Sequence, residues 1–594
     1  MTDFTPPLQD FRFLIHDVIG IDTLASLPAF TEISPDLVDA ILEEAGKFAS
    51  SVLAPLNRVG DQEGATLLSD GTVRTPTGWK EAYAQFCDGG WQGISAPEAN
   101  GGMGLPILLG ACVAEMWQSA NMAFALCPML TAGAIEALTI HGTSQQRALY
   151  LSRLVSGEWT GTMNLTEPQA GSDLSKVRTM AVPQNDGSYA ISGQKIYITY
   201  GDHEMTENIV HLVLARTPGA PDGVKGISLF IVPKFLVSET GEIGKRNDVS
   251  CVSLEHKLGI HASPTAVLSF GDQSGAIGYL VGEEGNGLAC MFTMMNNARL
   301  AVGQQGVAIS ERAYQQALAY SHQRKQGKAS TGDDAPIIMH GDVQRMLMRM
   351  RSSTEAARAL SLYAATQLDI AHHEIDENLR TAAKARADLL IPLVKAWSTD
   401  LGVDNASLGI QVHGGMGFIE ETGAAQHLRD ARIAPIYEGT NGIQALDFIG
   451  RKVLRDQAHA LNALISDARA TVETALSTEP NNRPLKTAAN QLKTALSQLG
   501  ESTDLVLDRC NKDSEMAQAL ASPYLRQAAL CISGWLMLRA LMAASNAPEP
   551  SDFLWRKISS CHFFFSQLLP EAAFVAAQIA NCDTAELHET QPLF

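Results

Sequence analysis

Between about Gly161 and Gly285 the spacing of apolar residues changes, and that change limits the folds open to this chain. Ahead of it the spacing is helical, as in Leu37, Val38, Ala40, Ile41, Leu42, Ala45, Phe48 and Ala49, and again over residues 107–122. A glycine-rich turn at residues 97–104 separates helical stretches. Short β-like runs then follow at 189–191, 196–199, 209–214, 227–232, 251–254 and 266–270, punctuated by Gly, Pro, Asn and Asp. Helical spacing returns at about 288–324, 341–372 and 379–412, with a polar, glycine-rich loop at 326–335. A further helical block, with loops at 478–484 and 546–551, runs to the end.

The expected fold is therefore mainly α with a central β domain. Its parts are an N-terminal extension (1–39), a helical N-terminal domain (40–160) and a central antiparallel sheet or barrel (161–285). A helical bundle (286–455) and an additional C-terminal helical domain (456–594) complete it. The last block carries no catalytic constellation and reads as a packing or interface domain.

Charge narrows the partners. The formal net charge is −20, and from Asp456 onward 10 Lys and Arg face 15 Asp and Glu, so neither a nucleic-acid nor an anionic-membrane partner is expected. The nine cysteines form no C-x-x-C pair, which suggests reduced thiols in a cytoplasmic setting and no metal site. The longest apolar tract, 528–544, is interrupted by Arg539, falls short of a membrane span and reads as a buried helix.

Four stretches carry chemistry. In R-D-A-R-I-A-P-I-Y-E-G-T-N-G-I-Q, Glu438 follows an apolar run and precedes Thr440 and Asn441, two good helix N-caps. A carboxylate on such a turn can take a proton from a weak carbon acid once substrate has excluded water. In T-E-P-Q-A-G-S-D, Thr166, Gly171 and Ser172 can bring hydroxyls and backbone N–H groups against a flat or phosphorylated ligand, although a surface turn would use the same residues. In G-Q-K-I-Y-I-T, Tyr197 and Thr199 share one face if the strand alternates, which suits stacking on a ring. In Q-V-H-G-G-M-G, a helix runs into glycines; Arg299 and Arg324, in one helical stretch, are suited to phosphate oxygens.

Together these motifs resemble the acyl-CoA dehydrogenase family, flavoenzymes that desaturate acyl-CoA thioesters. T-E-P-x-A-G-S-D, G-x-K-x-x-I-T, Lys257-Leu258-Gly259-Ile260, Q-x-x-G-G-x-G, R-D-x-R and Y-E-G-T-N occur in the family's order, over roughly residues 40–455. The resemblance implies that Glu438 is the base for the α-proton and that the β-hydrogen leaves as hydride to FAD, giving a trans-2-enoyl-CoA. It places Thr166, Ser172, Tyr197, Ile198, Thr199 and Thr440 against FAD, and Arg324, Gln411, Gly414 and Gly415 against the FAD of a neighbouring subunit. Ser172, Arg299 and Gly439 fall on the substrate side. It further implies an electron-transfer flavoprotein as acceptor and a homodimer or dimer of dimers. Two positions depart from the pattern: Arg324 runs into Lys325-Gln326-Gly327 without the family's aromatic, and Gly442 stands where a polar residue is common.

The stretch F-R-F-L-I-H-D-V-I at 11–19 and the block after 455 resemble a long bacterial subfamily that includes the 3-methylmercaptopropionyl-CoA dehydrogenases of dimethylsulfoniopropionate breakdown. Competing readings are a general short- or medium-chain acyl-CoA dehydrogenase, an acyl-CoA oxidase, and a DNA-binding flavoprotein of the same fold. The acidic count of the last block speaks against the third.

Overall fold

The computed structural model describes residues 4–328, 334–478, 482–547 and 549–583. Its contacts divide the chain into two units, one of Met1–Gly46, Pro106–Ser119 and Val302–Phe594, the other of Lys47–Leu105 and Ala120–Ala301.

The second unit holds the sheet. Its strands are β1 (Trp159–Asn164), β2 (Met180–Pro183), β3 (Tyr189–Thr199), β4 (Asn208–Arg216), β5 (Ile227–Pro233), β6 (Val249–Leu254), β7 (Thr265–Phe270) and β8 (Ala276–Val281). They run in the order β6-β7-β3-β8-β5-β4-β1, and β2 pairs with both β3 and β4. The pairings of β3, β8, β5, β4 and β2 therefore close a ring, whose last link is the single pair of Met180 with Arg216. Ile191, Val213, Phe230, Leu268 and Phe270 fill the core.

The expected antiparallel pairing is corrected in one respect, because β1 and β2 run parallel to β4. β1, β2 and β8 were not among the expected runs; in β1, Trp159 and Met163 stand among Thr, Gly and Asn, so it has no apolar run of the kind that marks the equally buried β4 and β5. The two runs expected at 189–191 and 196–199 are one strand, continuous through Gly193.

Two histidines inside this unit are held neutral. His203 Nε2 lies 3.0 Å from Thr160 Oγ1 while the Met205 N–H donates to its Nδ1, and His211 Nδ1 lies 2.7 Å from Thr162 Oγ1. Burial first, then the nearby Lys234 charge, depresses both pKa values to about 3. In the unfolded chain these imidazoles take protons near pH 6.5, so their stabilising share is complete above that value and is lost as pH falls towards 3. Each should cost about 1.4 kcal/mol per pH unit below 6.5. Calorimetry from pH 7 to 5 should show a falling melting temperature, and a His211→Asn variant should flatten the slope. An unchanged slope in that variant would remove His211 from the account.

The first unit is helical. Helices Gly341–His373 and Glu377–His413 pack along one another. The C-terminal block packs on them: Trp535 meets Tyr363 edge-on at 5.2 Å, and Ser352 Oγ donates to the Ser560 carbonyl at 2.8 Å. Arg358, almost wholly buried, donates from Nε to Glu115 at 2.8 Å and from Nη2 to Glu311 at 2.7 Å.

The loops expected at 326–335, 478–484 and 546–551 lie partly outside the described residues. Where the first is described, Lys325–Lys328 pairs with Asp334–Pro336 as a short hairpin. By length and composition alone, Ile107–His141, Met516–Ser545 and Asp552–Asn581 could each cross a membrane. For 528–544 this corrects the expected length, since the helix is 30 residues long, while its reading as a buried helix holds. The apolar windows of the first two are 78% buried inside the protein.

Candidate active site

β3 does not alternate to its end. Ala266 pairs with Ile198 but Leu268 pairs with Lys195, so β3 carries one extra residue there. The bulge sits at Ile196 and Tyr197, where Tyr197 adopts a left-handed φ of +62°. Tyr197 is turned out, 60% exposed, while Lys195, two residues earlier, is fully buried. Plain alternation would have put both on one face.

Lys195 spends its burial on the loop bearing Thr166. Its Nζ donates to the Leu165 carbonyl at 3.0 Å and pairs with Glu167 at 2.8 Å, gripping the residues on either side of Thr166. The Ile196 N–H donates to the Thr166 carbonyl at 2.9 Å. Glu167 also accepts from the Arg178 N–H at 2.7 Å, the Thr179 N–H at 3.1 Å and the Thr179 hydroxyl at 2.6 Å. Burial alone would raise its carboxyl, but Lys195 and these donors outweigh it and hold the group below its usual range. Burial draws Lys195 down to about 8 despite Glu167. Gly193 completes the clamp: at φ +148° it passes so close to Thr179 that a Cβ would lie 2.6 Å from the hydroxyl oxygen. The glycine and lysine of G-x-K-x-x-I-T thus set the T-E-P loop.

Around Tyr197 the chemistry suits a flat, polar-edged cofactor. Among the described residues the hydroxyls of Thr166, Ser172 and Thr199 make no hydrogen bond within the chain, and a Cβ on Gly171 would meet nothing within 4 Å. Ile198 faces inward and is 2% exposed.

The second constellation lies in the other unit. Glu438 is half-buried with φ +55°, followed by Gly439 at +84°. A non-glycine residue there costs about 1–2 kcal/mol, so the neighbours must impose it. Several do. The Tyr437 hydroxyl donates to Gln305 Oε1, and the Asn441 N–H donates to the Pro435 carbonyl at 3.0 Å. Gln444 Nε2 reaches the Glu438 carbonyl at 3.2 Å, and Lys395 Nζ donates to the Gly439 carbonyl at 2.7 Å. Thr440 caps helix Asn441–Asp447, accepting from the Ile443 N–H at 3.3 Å. The apolar wall expected before Glu438 is incomplete, since Ile436 is exposed.

Arg324 is exposed one residue beyond helix Gly287–Gln323 and leads into the short hairpin. Gln411, Gly414 and Gly415 are exposed at the end of Glu377–His413, beside the exposed side chains of Met416, Phe418 and Ile419. Arg299 is buried, its guanidinium 5.8 Å from the centre of the Phe292 ring.

The sequence matches the acyl-CoA dehydrogenase N-terminal domain over residues 36–158, its middle domain over 162–273 and its C-terminal domain over 285–454. The chain belongs to the acyl-CoA dehydrogenase family. Residues 458–588 match the domain described as acetyl-CoA dehydrogenase C-terminal like. The chain is 49% identical to the 3-methylmercaptopropionyl-CoA dehydrogenase of Ruegeria pomeroyi, over 97% of this chain and 98% of that protein. It is 34% identical to a butyryl-CoA dehydrogenase of Syntrophomonas wolfei, over 99% of this chain and 98% of that one. Among solved structures, an acyl-CoA dehydrogenase from Bacillus anthracis complexed with FAD superposes with a TM-score of 0.75 at 22% identity, covering 97% of this chain and 94% of that one. As an acyl-CoA dehydrogenase, this protein is an oxidoreductase that uses FAD. The outward aromatic, uncommitted hydroxyls and uncrowded glycine at the T-E-P loop fit that cofactor.

Sequence reasoning assigned no role to Glu167, Lys195, Lys395, Gln444 or Gln305. Glu167, Lys195 and Gln444 stand inside quoted stretches. Lys395 is the lone charge in L-L-I-P-L-V-K-A-W, and a lysine in so apolar a helical run is a signal in itself.

Proposed function

We propose that this acyl-CoA dehydrogenase desaturates short acyl-CoA thioesters at the α,β bond, with Glu438 as the base and 3-methylmercaptopropionyl-CoA as the leading substrate. The observation that carries the catalytic part is Glu438 itself, a carboxylate fixed in a left-handed turn by hydrogen bonds to the carbonyls around it. Identity of 49% along nearly the whole Ruegeria pomeroyi dehydrogenase supports the substrate.

In this reading Glu438 accepts the α-proton on a carboxylate oxygen. By resemblance to the family, its own backbone N–H would meet the thioester oxygen as negative charge develops there. FAD, when bound, supplies the acceptor for the β-hydrogen. Tyr197, Ile198, Thr199, Thr166 and Ser172 hold it on one chain. Thr440 serves it beside the base, and Arg324, Gln411, Gly414 and Gly415 serve that of a neighbouring copy in a homodimer or dimer of dimers. Arg299 and Gly439 belong to the acyl-CoA side. Electrons then pass to an electron-transfer flavoprotein.

The test is anaerobic flavin bleaching across a panel of acyl-CoAs. Its readout is kcat/KM for 3-methylmercaptopropionyl-CoA against butyryl-CoA and longer chains, followed by peroxide formation in air. A preference for butyryl-CoA or a longer chain would replace the thioether substrate, and rapid peroxide release would favour the oxidase.

A further inference from the structure

Behind the turn that presents Glu438 lies a buried cation that the reaction does not consume. Lys395 comes from the middle of helix Glu377–His413 and has no exposed surface. Its Nζ donates to the Gly439 carbonyl at 2.7 Å and to Asn441 Oδ1 at 2.9 Å. Asn441 is in turn tied to the same helix, donating from Nδ2 to the Ala396 carbonyl at 3.0 Å, to Thr399 Oγ1 at 3.1 Å and to Asp400 Oδ1 at 2.7 Å. Gln444, also fully buried, donates from Nε2 to the Glu438 carbonyl at 3.2 Å and to the Gly439 carbonyl at 3.4 Å.

These contacts fall on the two peptide planes that follow Glu438. One plane carries the Glu438 carbonyl, the other that of Gly439, and both residues are left-handed. Released from its partners, Glu438 relaxes to other backbone angles, because a non-glycine residue disfavours that region, and Gly439 offers no resistance. Relaxation would swing the Glu438 carboxylate away from its place. A displacement of about 1 Å in a reacting group can cost about 10²-fold in rate.

We infer that Lys395, assisted by Gln444, is a positioning residue for the base. It holds the turn after Glu438 in its left-handed form and so keeps the carboxylate aimed at substrate. The inference rests on Glu438 being the base.

The experiment is a double-mutant cycle on the flavin-loaded enzyme, read by anaerobic stopped-flow reduction with butyryl-CoA, unlabelled and α-deuterated. Lys395→Met should slow reduction by roughly 10–100-fold. It should also enlarge the α-deuterium effect and leave flavin content and butyryl-CoA affinity near wild type. In a Glu438→Gln background the same change should add nothing, because there is no base left to aim. Should Lys395→Met precipitate, Gln444→Leu removes only the amide side of the clamp and should slow reduction in the same way. A soluble variant of either kind that reduces flavin at the wild-type rate would overturn the inference, as would effects that add in full on Glu438→Gln. Near wild-type reduction by Glu438→Gln alone would instead remove the base reading. The two failures are therefore separable.

Discussion

Glu438→Gln should leave a yellow, folded enzyme whose flavin is reduced by acyl-CoA at least roughly 10²–10⁴-fold more slowly than wild type, the usual worth of a positioned general base. The amide keeps the size of the side chain and much of its hydrogen bonding but has no basic oxygen for the α-proton. The turn should survive, because the groups that hold it bind backbone carbonyls and not the Glu438 side chain: Lys395 on Gly439, and Gln444 on Glu438 and Gly439. FAD should stay, since the T-E-P loop clamped by Lys195 is untouched. Normal reduction by a variant verified by mass spectrometry would move the search elsewhere. The acids near Arg299 in sequence offer little: Glu311 is bound to Arg358, Glu284 accepts from the Tyr189 and Thr217 hydroxyls at 2.8 and 3.2 Å, and Glu283 is exposed.

The sequence exposed the long elements well, because their patterns are local. The expected helices at 288–324, 341–372 and 379–412 are found as Gly287–Gln323, Gly341–His373 and Glu377–His413. The expected short runs all fall in β3, β4, β5, β6 and β7. β1, β2 and β8 were not visible, and neither was the closure of the ring, which depends on Met180 meeting Arg216 across 36 residues of chain. At the candidate site, the motifs contain Thr166, Tyr197 and Glu438 but do not show what braces them. The bulge that turns Tyr197 out and Lys195 in arises from pairing with β7, roughly 70 residues away in sequence. Lys395 reaches Gly439 across 44 residues. No periodicity within either segment carries such a contact.

That bracing has a measurable consequence in Lys195→Met. Methionine fills much of the lysine's volume but leaves Glu167 buried without its cation and the Leu165 carbonyl without its donor. Removing one partner of a buried pair typically costs about 3–5 kcal/mol, because the remaining charge stays desolvated. For a unit of this size that corresponds to a fall of roughly 6–20 °C in melting temperature. The loss should reach the cofactor as well, since Lys195 grips both neighbours of Thr166, and a loosened loop binds FAD more weakly. Bound FAD stabilises only the folded chain, so holoenzyme and apoprotein should differ less in the variant than in wild type. Adding Glu167→Gln should restore part of the melting temperature, because the amide needs no counter-charge and can still accept from Thr179. The measurements are thermal unfolding with and without FAD, and the flavin-to-protein ratio after dialysis. If Lys195→Met kept the wild-type melting temperature and flavin, the ion pair would be no brace for the loop. If the double variant were no better than the single one, the damage would lie in lost packing around the lysine stem and not in the unpaired carboxylate.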